Sequence, residues 1–503
     1  MGETYSTLAA VDLGSNSFRL EIARVVGDQI YPLDSLREPV RLAAGLTADK
    51  RLDELSQERA LKCLRLFGER LRGLPPHAVR AVGTNTLRVA KNAGQFLAAA
   101  QEALGFPIEV VAGREEARLI YLGVAHELPV SGEKRLVFDI GGGSTEFIIG
   151  RKLKAQKLES LYMGCVSWSR RFFADGKLTK AAMREAELAA LAELQTIAAE
   201  FSAGQWDQAF GSSGTVRAIA DLLVECGLTS GGITPDGLDK LRNLILKAGD
   251  IRKLSLPGLR PDRVPVLPGG FAILNAAVSA LGIERLTAAS GAMREGVLYD
   301  LLGRFHRHDM RDVTVSQFMQ RYHVDPPQAK RVARLAVELA GGLLAGLDGD
   351  AEVELQLLEW AARLHEVGLD VAHSGYHKHS AYILRYADMP GFSRMEQQRL
   401  SLLVLAHRGS LKKMQGQLAA ETDIALALAL RLAALVFRSR RAQAAPAIQV
   451  RRGKGGFVIS APRSWLEVNP LTARALEDEP KEWKSLGVPL AVRWVEEQAA
   501  AAG

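Results

Sequence analysis

The sequence predicts an α/β protein in which two related α/β domains precede an all-helical domain and a small α+β domain. One pattern occurs twice, at residues 11–17 and 138–144: apolar residue, Asp, apolar residue, Gly, two further residues and Ser. Each copy follows an apolar run typical of a buried strand. Between residues 326 and 441 the apolar positions recur at helical spacing, and beyond Pro446 short strand-like runs return.

A chain of 503 residues is too long for one hydrophobic core, so several domains are expected. We place their boundaries at 1–125 and 126–303 for the two α/β domains, 304–441 for the helical domain and 442–503 for the α+β domain. Apolar residues make up 48% of the chain and charged residues 24%, which is typical of a globular rather than a disordered protein.

Charge and cysteine content narrow the function classes. Lys and Arg number 64 against 57 Asp and Glu, an excess that fits a polyanionic partner or is merely spread over the surface. The three cysteines form no Cys-x-x-Cys pair, which argues against a disulfide framework or a zinc site and for a reducing compartment. No signal peptide and no apolar run of about 20 residues is found, so we expect a cytoplasmic protein without integral membrane association.

The first domain is expected to open with two strands joined by a Gly-Ser hairpin turn and to continue with alternating helices and strands. Its strands are predicted at 7–13, 18–26, 79–83 and 108–111, and its helices at 53–72, after Thr84 and from Gly113. The second domain repeats the opening, with strands at 135–139 and 146–150. A third glycine loop, Gly-Ser-Ser-Gly-Thr, begins at Gly211.

The second half of the chain is predicted to be helical and then to return to strands. Helices are expected at 326–347, 352–367, 378–387, 394–408 and 423–440, and strands at 448–450 and 456–460.

The two Gly-Ser turns are predicted phosphate loops. Such a turn leaves backbone N–H groups free to bind phosphate oxygens, and glycine lets the backbone approach closely. An Asp at the preceding strand end, Asp12 or Asp139, suits Mg²⁺, which takes a few carboxylates together with water and phosphate. Neither loop is a Walker A or a Rossmann motif. One such loop alone is more often a plain hairpin, but turn chemistry requires neither the Asp nor the Ser of a matched pair. The predicted phosphate-binding residues are Ser15, Asn16, Ser17, Gly141, Gly142, Gly143, Ser144 and Thr145.

Six collinear stretches resemble the exopolyphosphatase/guanosine pentaphosphate phosphohydrolase family of the actin-like, sugar-kinase-like and Hsp70-like superfamily. They begin at Ala10, Gly83, Gly113, Phe138, Gly211 and Gly291, and the segment from Leu364 resembles the long exopolyphosphatases. The resemblance implies two actin-like (ribonuclease H-like) domains followed by an HD-like helical domain. That domain is expected to be degenerate, because His365-Glu366 stands in place of His-Asp and Gln328 where an early histidine is expected.

The resemblance also implies roles for individual residues. Glu116 matches the family's catalytic glutamate, which orients and deprotonates the attacking water; Asp139 and Glu146 match its metal-associated acids. From the residues alone, an acid in a first helical turn complements the helix dipole, and Glu115 fits that reading better. Strand alternation leaves open whether Glu146 faces the cleft or solvent. Further assignments are Asp12, Asp139 and Glu146 for metal and Arg88, Arg263 and, less firmly, Arg19 for phosphate; Cys165 is expected to be a packing thiol.

These assignments predict an exopolyphosphatase that uses Mg²⁺, or another divalent cation, to release orthophosphate processively from inorganic polyphosphate. The alternatives are guanosine pentaphosphate hydrolysis, an ATP-using kinase or chaperone ATPase, and a non-catalytic polyanion-binding protein. A homodimer is implied, and no nucleic-acid partner is expected because no known binding motif occurs. A basic track for the distal polyphosphate chain is predicted at His373, His377, Lys378, His379, Lys412 and Lys413.

Overall fold

The computed structural model describes residues 7–26, 29–129, 132–305, 309–347, 350–418, 420–441, 446–453 and 456–496. The chain divides into two compact units, Met1–Met310 and Arg311–Gly503. This break lies close to the predicted boundary at residue 303, whereas the finer division into four domains stays a prediction. In the described ranges, none of the helices combines the length and the hydropathy that crossing a membrane requires.

Two five-stranded sheets with the same topology build the N-terminal unit. The first has the order β3-β2-β1-β4-β5 and the second, in the same sense, β8-β7-β6-β9-β10. In each sheet the first strand pairs antiparallel with the second and parallel with the fourth. This confirms the duplication and the actin-like fold class. The strands are β1 Thr7–Leu13, β2 Phe18–Val26, β3 Gln29–Glu38, β4 Val79–Gly83, β5 Ile108–Val110, β6 Lys134–Ile140, β7 Thr145–Arg151, β8 Lys154–Leu161, β9 Gln208–Ser212 and β10 Thr287–Ala288.

The third strand of each sheet, β3 or β8, was not predicted from the sequence. Both strands lie at a sheet edge, and β8 is buried on neither face. In both strands the apolar residues do not alternate regularly with polar ones, so their sequences lack the pattern that identifies a half-buried strand.

Eleven helices complete the described part of the N-terminal unit. Two of them, α4 and α11, pack in the core between the two sheets. They approach closely because Gly296 lies against the backbone of Leu119 and Gly123 against that of Ala292, where an added Cβ would meet a carbonyl oxygen at 1.8 Å and 2.0 Å. The helices are α1 Glu54–Leu71, α2 Asn85–Val89, α3 Ala93–Leu104, α4 Gly113–Glu127, α5 Cys165–Phe172, α6 Lys180–Leu194, α7 Ala198–Phe201, α8 Ser213–Glu225, α9 Pro235–Ala248, α10 Leu267–Ala280 and α11 Met293–Phe305.

The C-terminal unit is a helical bundle with a three-stranded sheet. The five predicted helices are present, most of them ending a few residues earlier than predicted, and the small sheet shares one hydrophobic core with them. The elements are α12 Met310–Arg321, α13 Pro326–Leu343, α14 Ala351–Leu364, α15 Tyr376–Tyr386, α16 Arg394–Ala406, α17 Glu421–Val436, β11 Gln449–Gly453, β12 Gly456–Pro462, α18 Arg463–Glu467, α19 Pro470–Lys484 and β13 Leu490–Val495.

Candidate active site

The two predicted phosphate loops meet in one cleft of the N-terminal unit. A Cβ added to Gly142 would lie 2.9 Å from Ser15 Cβ and 3.3 Å from the backbone nitrogen of Asn16, so only glycine fits where the loops touch. The cleft contains about 770 Å³ of space between atoms, part of it open to solvent. The fold thus brings together two loops that are 127 residues apart.

Hydrogen bonds orient the backbone of both loops. The carbonyl of Ser15 accepts from the N–H of Ala43 at 2.9 Å, and the carbonyl of Gly142 accepts from the N–H of Val166 at 3.0 Å. These donors lie outside the loops, at residues 42–45 and in α5, so both carbonyl oxygens are already hydrogen-bonded within the protein. Such turns present their N–H groups to the ligand.

Most of the predicted phosphate-binding residues line the cleft, but Thr145 and Gly143 do not. The Thr145 hydroxyl is buried and donates to the carbonyl of Met163 at 2.6 Å. Gly143 packs against Asn85, whose Oδ1 would lie 2.6 Å from an added Cβ. The residues that do line the cleft are Ser15, Asn16, Ser17, Gly141, Gly142 and Ser144.

Two carboxylates stand at the strand ends beneath the loops. Asp12 is the last residue but one of β1, Asp139 is the last residue but one of β6, and both line the cleft. Burial raises the pKa of Asp12 to about 7, although Arg19 and Arg294 lower it, and burial raises that of Asp139 to about 6. The pair is therefore costly to ionise unless a cation is nearby.

The donor set of this pair fits Mg²⁺. Asp12 Oδ1 is buried and has no hydrogen-bond partner, and both acids supply oxygen ligands. Among the described residues, no group of three His, Cys, Asp or Glu side chains could hold a metal ion by itself. A cation here would take Asp12 and Asp139 and complete its shell with water and phosphate oxygens.

Glu146 lies under the cleft. It faces Asp139 across the β6–β7 hairpin, is 1% exposed and accepts from the Ser160 hydroxyl at 2.9 Å. Burial and then the nearby Glu116 raise its pKa well above the usual value. The sequence left open whether Glu146 faces the cleft or solvent. The side chain is not exposed to solvent, and it is also not among the residues that line the cleft.

Glu116 lies in the first turn of α4 and lines the cleft. Its carboxylate accepts from Arg88 Nη1 at 2.6 Å, and the same guanidinium donates to the carbonyl of Val111 at 3.1 Å. Arg88, predicted as a phosphate contact, is therefore an ion-pair partner of Glu116 and is not among the cleft-lining residues. Glu115 lies in the same first turn, as the dipole interpretation expects, and is buried in an ion pair with Arg118.

Four guanidinium groups line the cleft, two of which the sequence interpretation missed. Arg19 and Arg263 were candidates, whereas Arg217 and Arg294 were not assigned any role. Their positions could have indicated a role, because Arg217 lies two residues beyond the third glycine loop and Arg294 directly follows Gly291-Ala-Met. Burial and then Arg294 lower the pKa of Arg19 to about 10, which reflects the crowding of positive charge. The cleft thus holds an excess of cationic groups suited to an anion.

The third glycine loop also belongs to the site. Ser213, Gly214 and Thr215 line the cleft, and an added Cβ on Gly214 would meet Arg263 Nη2 at 2.1 Å. Glycine at this position therefore lets the Arg263 guanidinium pack directly against the loop. Cys165 lines the same wall; it is buried, and burial raises the pKa of its thiol, as expected of a packing group rather than a nucleophile.

The predicted track residues of the C-terminal unit differ in exposure. His377 is 8% exposed and sits beside His407, with ring centroids 6.2 Å apart, while the other track residues are exposed or half-buried. Burial and then Lys413 lower the pKa of His377 to about 4, so its imidazole is neutral near pH 7. The buried His365 donates its Nδ1–H to the carbonyl of Ala362, 2.6 Å away.

A cleft in which two duplicated actin-like domains hold phosphate loops, strand-end acids and arginines defines an enzyme that acts on phosphoryl groups. A sequence model of the Ppx/GppA phosphatase family matches residues 21–305, and a model of domain III of the same family matches residues 310–480. The chain belongs to the Ppx/GppA phosphatase family and is a hydrolase.

Solved structures are similar to this chain over about three fifths of its length. An exopolyphosphatase from Cytophaga hutchinsonii is 24% identical with a TM-score of 0.53, covering 59% of this chain and 98% of that one. An exopolyphosphatase-like protein is 24% identical with a TM-score of 0.52, covering 59% and 99%. The Aquifex aeolicus PPX-GPPA enzyme is 26% identical with a TM-score of 0.49, covering 58% and 98%. The first two support the fold.

Proposed function

We propose that the protein is an exopolyphosphatase that hydrolyses the terminal phosphoanhydride of inorganic polyphosphate. The observation that carries the proposal is the cleft lining: two phosphate loops, four guanidiniums and Glu116, with no aromatic side chain among the described residues that line it. A phosphate chain presents only charged oxygens, which N–H groups and guanidiniums bind. A nucleobase is usually held by stacking on an aromatic ring.

The proposed reaction places water on the terminal phosphorus and breaks its anhydride bond to the rest of the chain. Glu116 orients the water and takes its proton, and the ion pair with Arg88 fixes the carboxylate. The loops and arginines neutralise the phosphoryl oxygens as charge shifts to the leaving chain. Mg²⁺, held by Asp12 and Asp139, would add charge neutralisation at those oxygens.

Guanosine pentaphosphate is the alternative substrate, because its terminal phosphate would use the same loops. The discriminating experiment measures phosphate release from long polyphosphate, short polyphosphate, guanosine pentaphosphate and ATP in parallel with Mg²⁺. We expect the highest kcat/KM with long polyphosphate. A higher value with guanosine pentaphosphate would refute the proposal in favour of the alternative.

Glu116→Gln tests the role of the carboxylate. The amide keeps the size of the side chain but cannot accept a proton, so we expect a loss of at least about 100-fold in kcat. Glu69→Gln is the control, since Glu69 is exposed on α1. Near-normal turnover by the Glu116 variant would remove it from the mechanism.

We also propose that the basic residues of the C-terminal unit bind the distal polyphosphate chain and support processive hydrolysis. Lys378 and Lys412 are exposed, and burial with Arg431 and Lys378 nearby lowers the pKa of Lys413 to about 8, so positive charge is concentrated here. Such a surface gains affinity by releasing counterions from a polyanion.

The test is the double variant Lys378→Ala/Lys412→Ala in the full chain. We expect KM for long polyphosphate to rise several-fold, by about one decade at most at low salt, and KM for triphosphate to stay unchanged. The matched control replaces Lys330 and Arg334, two basic residues that are exposed on α13 of the same unit. Equal effects of both double variants, or an equal rise for triphosphate, would contradict the track.

A further inference from the structure

Helix α4 carries a functional acid at its start and an unexplained acid at its end. Glu116 lies in its first turn and Glu127 is its last residue, so the two are about 16 Å apart along the axis. A carboxylate at a helix C-terminus opposes the helix dipole. Helix stability therefore does not explain an acid at this position, whereas the contacts that Glu127 makes outside the helix do explain it.

The Glu127 carboxylate binds the turn that precedes α11. It accepts hydrogen bonds from the N–H of Ser290 at 3.2 Å, from the Ser290 hydroxyl and from the N–H of Gly291. The turn lies directly on the helix, because a Cβ added to Gly291 would meet the carbonyl of Gly123 at 2.6 Å and Glu127 Oε2 at 2.9 Å. One side chain thus holds all three donors of this turn.

The acceptors of the same turn serve the active site. The carbonyl of Ser290 accepts from Arg217 Nη1 at 3.1 Å, and the carbonyl of Gly291 accepts from the Ser212 hydroxyl at 2.9 Å. Arg217 lines the cleft, and Ser212 pairs with Asp139 in the sheet. Beyond the turn the chain continues into the cleft wall, ending with Arg294.

We propose that Glu127 is a positioning residue of the phosphatase site. By fixing the donors of the 290–291 turn, it sets the position of the carbonyl that holds Arg217 and of the segment that carries Arg294. Glu127 itself does not line the cleft. The proposal rests on phosphoryl chemistry in this cleft and is independent of which phosphoanhydride is the substrate.

The first measurement needs no substrate. Hydrogen–deuterium exchange in Glu127→Ala should accelerate at the amides of Ser290 and Gly291, with peptides of the C-terminal unit unchanged. The second measurement is activity, with whichever of polyphosphate and guanosine pentaphosphate the wild type hydrolyses faster. We expect kcat/KM of Glu127→Ala to be about tenfold lower than that of the wild type, because misplacing a binding group by a fraction of an ångström reduces the rate. Glu69→Ala, on the exposed face of α1, is the control.

Two comparisons separate positioning from general destabilisation. Glu127→Gln keeps the bulk and one acceptor oxygen for the two Ser290 donors but turns an N–H₂ group towards the N–H of Gly291, so its kcat/KM should fall between those of the wild type and Glu127→Ala. In an Arg217→Ala background, Glu127→Ala should cost less than about threefold, because coupled residues are not additive. Restored activity in the Gln variant, independent effects in the double variant, or unchanged exchange at residues 290–291 would each overturn the proposal. A wild type inactive on both substrates would refute the proposed function alone and leave the exchange result to decide this one.

Discussion

Asp300 lies at the centre of a buried ion cluster behind the first turn of α4, and replacing it with asparagine should destabilise the N-terminal unit. One carboxylate oxygen lies 2.7 Å from Arg80 Nη1 and the other 2.5 Å from Arg118 Nη2. The side chains are 1–8% exposed. With Glu109, Glu115 and Arg304 the cluster holds three positive and three negative charges, so asparagine leaves it with an uncompensated buried positive charge.

The expected cost follows from that burial. Removing one partner of a buried ion pair costs about 3–5 kcal/mol, because the remaining charge stays desolvated. Asparagine keeps the shape and one acceptor oxygen, so we expect about 3 kcal/mol, the lower end of that range. The matched control, Asp478→Asn, breaks exposed contacts to Arg474 and Lys481 and should cost less than about 1 kcal/mol.

The chain has two units, so a single unfolding midpoint would mix them. Hydrogen–deuterium exchange in moderate guanidinium resolves them: peptides from α4 should lose protection in Asp300→Asn, and peptides from α17 in the other unit should not. Burial alone would raise the pKa of Asp300, but Arg118 and Arg80 hold it well below its ordinary value of 3.8. A group with a depressed folded-state pKa contributes stability above its unfolded value and loses it as pH falls below that value, so the difference between variant and wild type should shrink below pH 4. A cost below 1 kcal/mol at pH 7, or equal loss in α17, would refute the reasoning.

Two further predictions concern the cleft. Mg²⁺ must displace protons from Asp12 and Asp139, whose pKa values are raised to about 7 and about 6. The apparent affinity for Mg²⁺ should therefore fall about 500-fold from pH 7 to pH 5, as measured by the Mg²⁺ dependence of thermal stability. An affinity for Mg²⁺ that does not change with pH would contradict the metal assignment. A carboxyl group whose pKa is raised in the folded state stabilises the fold only while it is protonated. Without metal, the N-terminal unit should therefore lose stability as pH rises from 3.8 through about 7. Gly142→Ala places a Cβ 2.9 Å from Ser15 Cβ, so it should push the loops apart and reduce kcat/KM at least about tenfold. The control is Gly94→Ala, because a Cβ added to Gly94 meets nothing within 4 Å. Equal activity of the two variants would show that the contact between the loops is unimportant.

Some features of the site were readable from the sequence because they depend on local chemistry. A Gly-Ser turn that follows an Asp near a strand end is a pattern within one short segment, so both loops were located before their contact was known. The phosphate role of Arg88 stays a prediction, but the sequence did not indicate that its guanidinium would lie 2.6 Å from the carboxylate of Glu116. That pair joins residues 28 positions apart, and no local pattern indicates which side chains will meet.

The sequence by itself determined the duplicated α/β architecture, the two loops with their acids and the helical character of the second half, because hydrophobic period, turn residues and strand-end acids are properties of short segments. Only the tertiary structure decided that the loops touch at Gly142, that Thr145 turns away from the cleft, and that Arg217 and Arg294 complete it. These outcomes depend on how two sheets and the helices between them pack. Steric fit and the pairing of buried charges depend on contacts between residues that are far apart in the chain, so short segments do not reveal them.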